Sequence, residues 1–190
     1  MTQPKQKTTW QRIARRIRVP LGFLFAAGFL VFAHPTPRSL ALSLLLVLPG
    51  VWLRAYASGY VKKNQELATT GPYAHTRNPL YLGSMLIAFG FAAAAHSWPI
   101  LLVLAAAFLA IYLPVIKGEE AYLRANFPTF ATYAAQVPRL LPRLTPAPTQ
   151  AAAGTFSPAL YRKHREYQAA MGAAAIYAAL ILRLFWHTSH

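Results

Sequence analysis

The chain has 190 residues, 56% of them hydrophobic, with 19 Lys and Arg against four acidic residues, a formal net charge of +15 and no cysteine. That length suits one domain; the lack of cysteine excludes a disulfide framework and thiolate chemistry, and no His/Cys cluster has zinc spacing. The positive charge does not call for a nucleic-acid partner, because the basic residues flank long apolar runs, where the positive-inside rule and anionic headgroups account for them.

In chain order, residues 1–18 form a basic segment with Lys5, Lys7, Arg12, Arg15, Arg16 and Arg18. The tail to about residue 9 reads as disordered, and a short basic helix from Trp10 lies along the headgroups. A first span runs over 19–33, and its length of ~22 Å is short for a bilayer. This segment also resembles a secretory signal, with Val31 and Ala33 near a cut; the further spans favour an uncleaved anchor. His34-Pro35-Thr36-Pro37 is a turn. The second span covers 39–57, with a kink expected at Pro49-Gly50 and Arg54 snorkelling to the headgroups near its end. A polar loop follows over 59–78, with Lys62 and Lys63 as solvated charges. Gly71-Pro72 and Asn78-Pro79 punctuate it, and Pro79 suits the first turn of a helix.

The third span covers 79–96 and the fourth 100–116, joined by His96-Ser97-Trp98-Pro99 as an antiparallel hairpin. Gly83, Gly90 and the alanines 92–95 predict close contact within that hairpin. Pro114 is expected to bend the fourth span. Residues 117–135 read as a helix broken at Phe127-Pro128, with Tyr122, Phe127, Phe130 and Tyr133 as interfacial aromatics. Residues 145–158 have the composition of a linker, 161–168 are a basic lead-in, and 169–186 form a fifth span. The expected fold is therefore all-α: a polytopic membrane bundle of about five transmembrane helices with a cofactor pocket on the cytoplasmic side. With the N-terminus inside, 17 of the 19 Lys and Arg residues fall inside and only Arg38 and Arg183 outside, which puts the 59–78 loop and the 117–143 segment on one side.

Two motifs carry chemistry. The first is QELATTGPYAHTRNPLY, from Gln65 to Tyr81; the second is GEEAYLRANFPTFATYAAQVPRLLP, from Gly118 to Pro142. The four acidic residues are Glu66, Glu119, Glu120 and Glu166, and three of them lie in or beside these motifs. GPYAHTRNPLYLG followed by the second motif resembles the isoprenylcysteine carboxyl methyltransferase family, part of a group of membrane methyltransferases that includes the phospholipid N-methyltransferases. The resemblance covers roughly residues 40–143, leaving 159–190 as an extra C-terminal helix.

The resemblance implies S-adenosylmethionine-dependent methyl transfer to a lipid or lipid-linked acceptor, with membrane lipids as partners and no nucleic acid or metal. It names Gln65, Glu66, Leu67, Ala68, Tyr73, Asn78, Pro79, Leu80, Tyr81 and Glu119 as cofactor-binding; Glu119 and Arg77 are the candidate catalytic residues. It implies an integral protein of a bacterial cytoplasmic membrane with the site inside. The chemistry suits so modest a site, because the donor is already activated and the protein must mainly position the reactants and exclude water.

Bland readings stand beside these. Glu119 and Glu120 can pair with Arg124 or Arg139, Arg77 can anchor its loop, His75 can be a solvated loop residue, and Glu166 can pair locally within 162–167. Two positions depart from the family: Asn78 stands where many members have histidine, and Val115 where the eukaryotic prenylcysteine enzymes carry a substrate-contacting arginine. The second departure argues against a prenylcysteine carboxylate as acceptor, and the glycines of the third span suggest a lateral route between spans three and four. The alternatives are a phospholipid N-methyltransferase, an NADPH-dependent membrane reductase of similar fold, and a non-catalytic scaffold.

Overall fold

A computed structural model describes residues 28–62, 65–148 and 154–188. The basic segment and most of the expected first span lie outside them; of that span, residues 28–32 are described, and they are helical. The described residues are all-helical, without strands. Helix α1 is Pro37–Ser58, α2 is Pro79–Ala95, and α3 is the continuous Trp98–Asn126. After a break come α4, Phe130–Gln136, then α5, Pro158–Lys163, and α6, Tyr167–Thr188. Among the described residues, three helices (α1, α3 and α6) are long and apolar enough to cross a membrane, and the 17-residue α2 is a shorter apolar helix.

Local sequence sets the ends. Thr36 caps α1 with its side chain on the Ser39 amide at 3.0 Å, while Ser39 returns a bond to the Thr36 amide at 2.9 Å, satisfying two amides that the helix leaves unpaired. His96 takes a left-handed φ of 49°, which lets the chain reverse between α2 and α3 in two residues. In α3, Pro114 has no N–H for the carbonyl four residues back. The strain is absorbed by a π-turn over Phe108–Tyr112 just before it. The fourth span and the following segment are thus one helix of 29 residues. At 1.5 Å per residue it is ~44 Å long, so its glutamate-bearing end extends beyond a ~30 Å hydrocarbon layer. The break at Phe127-Pro128 falls where the sequence indicates it.

The bundle packs chiefly through α1 against α2. This corrects the expected role of the third-span glycines. A Cβ at Gly83 would meet the Gly50 carbonyl at 2.8 Å, and one at Gly90 would meet Val47. The small-residue face of α2 is therefore filled by α1 and does not face α3. Gly50, beside Pro49, marks the crossing point within a helix that stays continuous. α6 lies against this pair, with Ser43 Oγ and Tyr177 Oη 2.6 Å apart. Val47, Phe91, Ile100, Ala173 and Leu180 form the core. Leu45, Leu102, Leu109, Leu182 and Phe185 point outward, each more than 60% exposed, as lipid-facing side chains do. Arg183 donates from Nε to the Ala33 carbonyl at 2.6 Å and from Nη2 to that of Val31 at 2.7 Å, closing the end of the helical turn at 28–32.

Candidate functional site

The 65–78 loop is fixed by a segment distant in sequence. The Arg77 amide donates to the Pro138 carbonyl, Arg143 to His75, and Ala147 to Ala74, each at 2.9 Å. Thr76 Oγ1 donates to the Leu140 carbonyl at 3.1 Å, and His75 Nδ1, 2.8 Å from the Arg143 carbonyl, is its donor. Residues 138–147 are thus a brace, not a spacer, and His75 is engaged rather than solvated. The far side of the linker docks as well: Phe156 stacks on Tyr56, with ring centroids 6.1 Å apart, and the Ser157 amide donates to Gly59. Tyr56 also bonds Tyr60, whose hydroxyl is pushed up to about 12 by that bond.

The braced loop, the start of α2, the end of α3 and the turn before α6 surround one cavity of about 560 Å³ at one end of the bundle, a usual volume for a small-ligand site. Glu66, Leu67, Ala68, Tyr73, Asn78, Pro79, Leu80, Tyr81 and Glu119 line it, as does Arg77. Of the expected cofactor positions only Gln65 lies outside the lining; it is exposed.

Adjacent glutamates on α3 face different surroundings, since neighbours on a helix differ by about 100°. Glu120 is buried and is held by Arg139 at 2.8 Å, by Arg77 at 3.4 Å and by Asn78 Nδ2 at 3.4 Å. That bond raises the Arg139 guanidinium above its ordinary value. Glu119 has no ion pair among the described residues; it accepts the Tyr81 hydroxyl at 3.0 Å. The pairing reading therefore holds for Glu120 and fails for Glu119. Tyr81 meets Tyr112 edge-on, centroids 5.9 Å apart. Burial pushes the Tyr73 and Tyr133 hydroxyls up, which keeps both neutral, and Tyr133 donates to the Tyr73 carbonyl at 2.8 Å.

The sequence reading misplaced several residues. Arg54 does not snorkel to headgroups. It turns into the cavity and forms a bidentate pair with Glu166, 2.8 Å at the shortest. Glu166 has no local partner in that role; its partner lies 112 residues away. Tyr122, Phe127, Phe130 and Tyr133 all contribute to the cavity lining. Val115 is about half exposed and outside the lining. A hydrophobic side chain amid polar ones was a signal for the aromatics; for Glu166 only the scarcity of acidic residues was.

The cavity walls suit a zwitterionic nucleoside such as S-adenosylmethionine. Glu119, without an ion pair among the described residues, has acceptor capacity open to an amino group or hydroxyls, and the tyrosine faces suit a flat ring or a cation. Arg77 Nε is buried without a hydrogen-bond partner among the described residues, a vacancy that a carboxylate would fill. A second cavity of about 660 Å³ on the other side of the loop carries no charged side chain.

An all-helical bundle with outward apolar faces and a polar, tyrosine-walled cavity is the architecture of an integral membrane protein with room for a small ligand. Residues 39–129, just under half of the chain, match the phospholipid methyltransferase family, part of the isoprenylcysteine carboxyl methyltransferase-like group of membrane methyltransferases. Its members generally use S-adenosylmethionine. The chain is similar to the cobalt-zinc-cadmium resistance protein CzcN of Cupriavidus metallidurans, 37% identical over 139 residues, which are 67% of this chain and 62% of that protein. It is also similar to the nickel-cobalt-cadmium resistance protein NccN of Alcaligenes xylosoxydans xylosoxydans, 40% identical over 95 residues, 50% of this chain and 44% of that one. The chain thus spans less than two thirds of either relative. No solved structure matches it.

Proposed function

We propose that the protein transfers a methyl group from S-adenosylmethionine to a lipid or lipid-linked acceptor, with its site on the cytoplasmic side of a bacterial membrane. The observation that carries this reading is convergence: nine of the ten positions the family resemblance names as cofactor-binding line one cavity. When bound, the cofactor supplies an electrophilic methyl carbon on a sulfonium, so the acceptor needs no strong activation.

The residues then divide the work. Tyr81 donates to Glu119 and orients its carboxylate toward the cavity. Glu119 accepts from the donor's amino or hydroxyl groups. Arg77, steadied by Glu120, offers Nε to a carboxylate. The buried Tyr73 and its partner Tyr133 exclude water and present neutral rings beside developing or departing positive charge. Positioning of this kind supplies most of what an in-line displacement requires.

The test is a titration of the purified protein with S-adenosylhomocysteine and, separately, NADPH, followed by label transfer from S-adenosylmethionine to total lipid. Saturable S-adenosylhomocysteine binding with labelled lipid is expected. Tight NADPH binding without S-adenosylhomocysteine binding would replace this reading by the reductase. The metal-resistance names of the relatives suggest comparing lipid from cells grown with and without cobalt or zinc as the acceptor pool.

A further inference from the structure

Arg54 is the cation that α1 presents to the cavity, and its donors are already in use. Nε donates to Glu166 Oε2 at 3.0 Å, and Nη2 to the two Glu166 oxygens at 3.0 and 2.8 Å. Nη1 donates to Ser84 Oγ at 2.5 Å and to the Leu80 carbonyl at 3.3 Å. This is the fork geometry by which an arginine recognises a carboxylate, so Glu166 sits where an acceptor's carboxylate would bind. Glu166 Oε2 accepts twice from Arg54, but Oε1 accepts once and keeps a lone pair for a further donor. Glu119 has the same acceptor-only character, and the unpartnered Arg77 Nε belongs to the separate Glu120 cluster.

The placement of Glu166 is built in. Arg165, before it, holds a φ of 56°, a left-handed conformation that non-glycine residues seldom adopt and that tends to accompany functional sites. The turn aims Glu166 at Arg54 although it lies outside the family-matched residues 39–129.

We propose that Glu166, by occupying Arg54, is the specificity-determining residue that makes the cavity take an acceptor whose head is a hydrogen-bond donor, an amine above all, and reject a carboxylate. This rests on the methyltransferase reading for its biological meaning, but it is tested by binding.

Dodecylamine and dodecanoate share one chain and differ in head charge. Their dissociation constants are measured on the full-length protein in a neutral detergent, with and without S-adenosylhomocysteine, for the wild type, Glu166→Gln and Glu166→Asp. The wild type is expected to favour the amine by about tenfold or more, the scale of one charge-assisted bond. Glu166→Gln should lower the amine-to-acid preference by about tenfold by releasing Arg54, and Glu166→Asp should largely keep it. A purely structural role would weaken both ligands together and leave the ratio unchanged, which overturns the proposal, as does a wild type that prefers the acid. If Glu166→Gln does not fold, the wild-type ratio decides. Failure of S-adenosylhomocysteine to bind would instead remove the methyltransferase reading, while the amphiphile ratio on the free protein would still judge this one.

Discussion

Glu119 and Glu120 are neighbours on one helix, and their removal should have opposite consequences. In Glu120→Gln the carboxylate that holds Arg139, Arg77 and Asn78 loses its charge. The Arg139 side chain is 40% exposed, so its pair is discounted to about 1 kcal/mol. The Arg77 side chain is only 13% exposed and already has an unpartnered Nε. Leaving its Nη2 unpaired as well costs about 2 kcal/mol. The total of about 3 kcal/mol lies at the lower end for breaking a buried pair and corresponds to a fall in Tm of about 6–12 °C for a chain of this size. Glu119→Gln removes a carboxylate whose partner is one tyrosine hydroxyl at the cavity. Stability should stay within the ~0.5 kcal/mol of an ordinary surface change, while S-adenosylhomocysteine binding weakens by about 1.5–3 kcal/mol, roughly 10- to 150-fold. Thermal unfolding and calorimetric titration of both variants in one detergent measure all four quantities. A Tm loss in Glu119→Gln with unchanged affinity, or an unaltered Tm in Glu120→Gln, would refute the division of roles.

The helix crossing gives a second contrast. Gly83→Ala drives a Cβ into the Gly50 carbonyl at 2.8 Å and should destabilise by about 1–3 kcal/mol, whereas Gly118→Ala, with open space around it, should be neutral or stabilise by up to about 1 kcal/mol through helix propensity; thermal unfolding distinguishes them. Reporter fusions should place Gly71 and Arg124 on the same, cytoplasmic, face and the end of α6 on the other, and opposite faces for Gly71 and Arg124 would dismantle the single cavity.

Much of the architecture was legible in the sequence because its causes are local. Apolar runs of bilayer length define helices whatever their neighbours, His96-Ser97 marks the reversal into α3, and Phe127-Pro128 marks the break before α4. The two motifs point to the loop and to the α3 end that form the cavity, because their residues lie within a turn or two of one another. What only the tertiary structure decided was partnership across distance. Nothing in the spacing of Gly50, Gly83 and Gly90 says which helix the α2 glycines face, since small residues permit close approach to any neighbour. Proline-rich composition made 145–158 resemble a linker, yet side chains and amides there are docked onto the loop and α1. Arg54 and Glu166 each had a cheaper local explanation, headgroups for one and a nearby cation for the other. A charge at the end of a membrane helix is settled by whichever counter-charge the fold brings to it, and here the fold brought a carboxylate from the turn before α6 into the cavity wall.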